Sequence, residues 1–196
     1  RAAVGPPPAG SFSQIAIGST LGCGVVEDGE VLCWGDGAYN FPPPAGPFLE
    51  MDVAEYFVGN PTFCGVRPDG TLECWGIDMD GLATPPTGSF LSVDLGFRHG
   101  CAVQNDGELA CWGLDDMGQA SPPGGAFVRV SCAYSHCCAI QLNGTLECWG
   151  HTSDVTNPPA GTYTGISVSD AHACAIATDG TLACWGDDYQ GQSTPP

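Results

Sequence analysis

The tripeptide Cys-Trp-Gly occurs five times, and the cysteine of each copy lies ten residues after another cysteine. The pairs are Cys23/Cys33, Cys64/Cys74, Cys101/Cys111, Cys138/Cys148 and Cys174/Cys184. Each unit opens on a Pro-Pro followed by an aromatic: Pro7-Pro8 with Phe12, Pro43-Pro44 with Phe48, Pro85-Pro86 with Phe90, Pro122-Pro123 with Phe127, and Pro158-Pro159 with Tyr163. The chain stops at Pro195-Pro196, where a sixth unit would begin. From the second proline the steps are 36, 42, 37, 36 and 37 residues. A fixed period of roughly 20–50 residues specifies a solenoid, propeller or array. A unit this small cannot bury its own apolar face and must stack on its neighbours.

Within a unit the signals are those of strands. A short alternating run follows the aromatic, as at Ile15 and Ile17, and a hairpin comes next. The hairpin loop ends in Asp28-Gly29, Asp69-Gly70, Asp106-Gly107, Asn143-Gly144 or Asp179-Gly180. Glycine accepts positive φ at low cost, and Asp or Asn supports the turn. No segment carries a helical period. Prolines, which supply no ladder donor, mark the links. Several short strands per unit, repeated radially, predict an all-β fold, a β-propeller of five repeats of about 37 residues. The alternative is an open arc of a larger propeller or repeat array. The expected single domain spans 1–196, with repeats near 8–43, 44–85, 86–122, 123–158 and 159–196.

A three-residue loop ending in the glycine would set Cys23 directly across the ladder from Cys33, and likewise in every copy, where a disulfide can form. Cys132 and Cys137 flank a tight turn in the fourth unit and are expected to pair. The adjacency of Cys137 and Cys138 leaves a swapped pairing open. Zinc sites favour Cys-x-x-Cys knuckles, which this chain lacks. Twelve disulfide-forming cysteines imply an extracellular or cell-surface setting.

There are 22 acidic residues against four arginines (Arg1, Arg67, Arg98, Arg129) and no lysine, for a formal net charge of −18. Nucleic-acid binding requires a basic surface and is excluded. The acids read as a solvated surface. No segment approaches the about 20 apolar residues of a membrane helix, so no membrane insertion is expected. The chain starts without Met or a signal sequence and reads as a processed product or a piece of something longer.

The pattern His99-x-Cys101-Ala102-Val103, then Asp106-Gly107-x-Leu109-x-Cys111-Trp112-Gly113, resembles the repeat of the regulator of chromosome condensation superfamily. The cysteine-bearing form is especially similar to the extracellular repeats of Crinkly-type plant receptor kinases. Bacterial secreted propellers that inhibit β-lactamase are similar in repeat length. The resemblance implies a β-propeller and no particular function. Seven blades are usual in that superfamily, against five units here.

Several constellations could carry chemistry. His99, His136 and His172 fall at equivalent positions, offering either a three-histidine metal site or packing against a neighbouring blade. Acids follow each Cys-Trp-Gly, at Asp36, Asp78, Asp80, Asp115, Asp116, Asp154, Asp187 and Asp188. Asp78-Met79-Asp80-Gly81 hints at calcium but lacks the other ligands of a twelve-residue loop, so calcium is a weak expectation. The tryptophans Trp34, Trp75, Trp112, Trp149 and Trp185 could stack on sugars, but burial between blades is the expected role. The second unit carries five additional residues between its aromatic and its first cysteine, and the apolar Tyr56-Phe57-Val58 makes this loop the expected protein contact. Asn143-Gly144-Thr145 is a glycosylation sequon at a hairpin tip. No catalytic or metal residue and no cofactor are expected. The chain therefore reads as a non-enzymatic extracellular structural or protein-interaction module, part of a larger surface, adhesive or appendage assembly. The partner would be protein, either another copy or another part of that assembly. The alternative is a secreted binding protein such as a lectin or inhibitor propeller.

Overall fold

The structure is a computed structural model that describes residues 8–36, 40–151 and 153–195. Arg1, Pro7 and Pro196 lie outside the described residues. Each unit forms one three-stranded antiparallel sheet in simple order. The first sheet is β1 (Phe12–Ile17), β2 (Leu21–Val26) and β3 (Val31–Gly35), the second β4 (Glu50–Glu55), β5 (Pro61–Val66) and β6 (Leu72–Gly76). The third is β7 (Phe90–Leu95), β8 (His99–Gln104) and β9 (Leu109–Gly113), the fourth β10 (Phe127–Cys132), β11 (His136–Gln141) and β12 (Leu146–Gly150). The fifth is β13 (Tyr163–Val168), β14 (His172–Ala177) and β15 (Leu182–Gly186). A short 3-10 turn at Asp154–Thr156 is the one other element among the described residues. The fold is an all-β propeller with five blades in this chain.

The turn chemistry sets each hairpin. In the first blade Gly29 sits at φ 87°, Val26 N–H donates to Glu30 O at 2.9 Å, and Asp28 Oδ1 accepts from Glu30 N at 3.1 Å. The loop is therefore three residues long, and Cys23 faces Cys33 across the ladder. The same register puts Cys64 on Cys74, Cys101 on Cys111, Cys138 on Cys148 and Cys174 on Cys184. All five pairs are bonded, Cys132 is bonded to Cys137, and no described cysteine is free. The glycine of each Cys-Trp-Gly has a separate task. Gly35, Gly76, Gly113, Gly150 and Gly186 have φ between 91° and 104°. A Cβ there would come within 2.3–2.5 Å of a backbone oxygen at, or one residue before, the start of the middle strand, so only glycine fits.

The blades stack through four apolar clusters. Val25 packs with Met51, Val66 with Val93, Val103 with Val130, and Ile140 with the partly buried Ile166, each pair bridging one blade to the next. Burying a side chain of this size stabilises by about 1.5–3 kcal/mol. Three tryptophans reinforce the same joints. Trp112 Nε1 donates to Leu82 O at 2.8 Å, Trp149 Nε1 to Gln119 O at 3.0 Å, and Trp185 Nε1 to Val155 O at 2.7 Å, always in the preceding blade. These rings are buried at the joints, not displayed for sugars.

Among the described residues no cluster joins the fifth blade to the first. Ile15 occupies the register position of the fully buried Met51 yet is 59% exposed, and Ile17 is 73% exposed. Ile176 occupies the position of the fully buried Val103 yet is 46% exposed. The five blades thus form an arc with an apolar face bare at each end.

Candidate interaction surfaces

The first strands of all five blades surround a hollow of about 440 Å³ on the axis. Each first strand is a sheet edge, with backbone groups that no ladder partner satisfies. Side chains of the preceding blade cap them. Gln14 Oε1 accepts from Met51 N at 3.3 Å, Glu50 Oε1 from Val93 N at 2.9 Å, and Asp52 Oδ2 from Leu95 N at 2.8 Å. Asp94 Oδ1 accepts from Cys132 N at 2.6 Å and Ser131 Oγ from Val168 N at 3.2 Å. In the sequence these acids read as solvated surface charges, whereas here they cap backbone amides. The signal that marks them is position: Glu50, Asp52 and Asp94 fall on first strands among apolar neighbours.

Burial raises all three carboxyls. Asp52 is pushed up to about 6, chiefly by desolvation, against which the Leu95 N–H works. Asp94 is raised well above its usual range by desolvation and by the neighbouring Asp52. Glu50 is raised by desolvation, partly offset by the Val93 N–H and by Arg129. A carboxyl raised on folding contributes stability that is complete below its unfolded value near 4 and is lost as pH rises through about 6. Asp52→Asn keeps the acceptor oxygen and removes that loss. We expect the variant to gain roughly 1–3 kcal/mol over the wild type between pH 4.5 and 7.5, one pKa unit being worth about 1.4 kcal/mol. His99, lowered to about 4 by burial, works in the opposite direction, since its contribution is lost as pH falls from about 6.5. It is present in both chains and cancels in the comparison. Parallel melting-temperature profiles across that range would contradict the assignment.

One rim of the arc carries the loops between first and middle strands. In the second blade the ladder runs on to Glu55↔Pro61, and the loop is residues 56–60. Glu55 ties this loop to the first blade by accepting from Thr20 N at 2.8 Å and Thr20 Oγ1 at 2.6 Å, and it accepts from Gly59 N at 3.1 Å. Tyr56 is half-buried and lies 4.6 Å from Phe97 of the third blade, and Phe97 stacks at 4.5 Å on Tyr134 of the fourth. Phe57 packs edge-on to Tyr56 at 4.3 Å. Arg98 lies 5.3 Å over the Tyr56 ring and is ion-paired with Asp80. The loop therefore divides: Tyr56 belongs to a stack across three blades, while Phe57 and Val58 stand 62% and 67% exposed beyond it. Phe97 and Tyr134 were not singled out by sequence, because their neighbour in space comes from another unit.

The remaining candidates are placed as follows. His99, His136 and His172 open three middle strands, one per blade. His99 Nε2 lies 3.1 Å from Cys137 Sγ of the fourth blade, and His136 sits beside the Ser169 backbone of the fifth, so each of these two reaches the next blade. The one converging metal-type group among the described residues is His99 with Cys132 and Cys137, whose sulfurs are already bonded to each other. Asp78 accepts from Ala83 N at 2.8 Å and Thr84 Oγ1 at 3.0 Å, closing its own loop. Asp115 and Asp188 do the same in their blades. With Asp80 on Arg98, the calcium-like run is an internal turn. Asn143 is exposed at its hairpin tip, where Oδ1 accepts from Thr145 N at 2.9 Å.

The profile of the regulator of chromosome condensation (RCC1) repeat matches residues 12–40, 90–119 and 163–192, which are the first, third and fifth units. No curated protein matches the chain. Among solved structures, the chain is similar to the Crinkly WD40 ectodomain of the Arabidopsis thaliana receptor kinase ACR4, with 25% identity and a TM-score of 0.72 over 89% of this chain and 68% of that one. It is similar in fold to the entire ectodomain of the Physcomitrella patens receptor kinase CR4, at 22% identity and a TM-score of 0.78, covering 98% of this chain and 56% of that one. A structure of Kap60 bound to yeast RCC1 (Prp20) is also similar in fold, at 14% identity and a TM-score of 0.73, covering 90% of this chain and 56% of that one.

Proposed function

From a chain built of repeats of the regulator of chromosome condensation type, we propose a non-enzymatic extracellular module that binds protein as one part of a larger surface assembly. The observation that carries this reading is the cross-linking: every described cysteine is in a disulfide, at least one bridge per blade. Such density belongs to oxidising compartments. The similarity to two receptor ectodomains supports the same location. The contact surface is the rim of the second blade, where Phe57 and Val58 project from a loop braced by Tyr56 and Glu55. Exposed apolar side chains on a rigid base are what interface cores use. The bare faces at the two ends of the arc differ from each other, and a second copy seated through such patches would make a heterologous contact that propagates.

The test keeps Tyr56, because it is packed, and replaces Phe57 and Val58 by serine. Light scattering at millimolar chain concentration should show association in the wild type and a monomer in the variant, with unchanged circular dichroism. A monomeric wild type, or a variant that associates as before, overturns contact through this loop.

A further inference from the structure

A second cavity, about 520 Å³, lies where the fourth blade meets the fifth. It is lined by Asp154, Asp170 and Asp187, all exposed, and by Tyr134 and the buried Val155. His151 and two serines complete the polar lining. His136 lines it as well and is 2% exposed. Burial pulls its pKa below the usual imidazole value, against which the neighbouring Ser169 backbone works, so the ring is neutral near pH 7. Its Nε2 is buried and, among the described residues, has no hydrogen-bond partner. An unsatisfied buried ring nitrogen in a native fold calls for a partner.

Taking this chain as a protein-binding module, we infer that the cavity between the fourth and fifth blades receives an arginine side chain of a protein partner. Three carboxylates beside an unpartnered imidazole nitrogen present negative charge and an open hydrogen-bonding position, and they ask for a cation rich in N–H donors. Guanidinium offers five such donors in a planar fork and stacks on aromatic faces, as Tyr134 allows. Its aliphatic stem suits the apolar wall at Val155. Asp187 already gives one oxygen to Tyr189 N at 3.0 Å, which fixes that carboxylate in place. The formal charge of −18 steers a basic partner toward this surface.

The experiment uses isotope-labelled protein and three probes: Nα-acetyl-arginine methylamide and its citrulline and lysine counterparts. The arginine probe should give saturable NMR shifts centred on His136 and Ala171, with the citrulline probe binding at least about tenfold more weakly, since a charge-assisted donor is replaced by a neutral one. The double variant Asp170→Asn/Asp187→Asn, both at exposed positions, should weaken the arginine probe by about tenfold with the fold unchanged. Equal binding of citrulline, equal or tighter binding of lysine, shifts that map elsewhere, or an unaffected double variant would each overturn the assignment. Association through Phe57 and Val58 is read separately, so failure here with that association intact removes the arginine site alone.

Discussion

Complete reduction and alkylation of the cysteines should leave the chain unfolded at 37 °C. Five of the six disulfides close loops of ten-residue separation and the sixth one of five. In the chain-entropy description each removes about 2–3 kcal/mol of freedom from the unfolded chain. Together the six reach the order of 15 kcal/mol, against the 5–15 kcal/mol that typically separates a folded domain from its unfolded state. The apolar clusters between blades cannot offset such a loss, because each blade is a single three-stranded sheet that relies on its neighbours. Circular dichroism melting of the oxidised and the alkylated chains measures this. An alkylated chain that still melts cooperatively within a few degrees of the oxidised one would show the bridges to be dispensable.

The second large effect compares two equivalent positions. Val103 and Ile176 hold the same place in their middle strands, opposite Leu109 and Leu182. Val103 is enclosed by Phe127, Val130 and Trp149 of the next blade. Ile176 has no next blade over it among the described residues. Val103→Asp puts an unpaired carboxylate into an apolar joint, which costs several kcal/mol and should unfold the chain or lower its melting temperature by well over 10 °C. Ile176→Asp should stay within about 0.5 kcal/mol of the wild type, as an exposed substitution does. Equal damage at both positions would mean that the isolated chain closes its fifth blade on its first.

The repeat, the hairpins and the cysteine pairing were legible along the chain because each is a local matter. A strand alternates with period two, and Asp28-Gly29 or Asn143-Gly144 can close only a tight turn. Two cysteines mirrored about such a turn then face each other, as Cys23 and Cys33 do. The acidic rim was legible as acids but not as loop closures, since Asp78, Asp115 and Asp188 reveal their task only once the chain five and six residues on folds back to them. The axial caps lay further out of reach. Glu50, Asp52 and Asp94 meet Val93, Leu95 and Cys132 across 43, 43 and 38 residues of chain, so their place on first strands among apolar neighbours marks them as unusual but cannot show which amides they cap. The same holds for the stack of Tyr56, Phe97 and Tyr134, one ring from each of three blades. Ile15 and Met51 show the limit most directly: both are apolar, both sit at one register position, and one is bare while the other is sealed. Local periodicity determined which residues form each blade. Which of their faces are buried, which acids lose their water and which pocket leaves His136 Nε2 without a partner among the described residues were decided by blade-on-blade packing, because burial depends on what another part of the chain places against the surface.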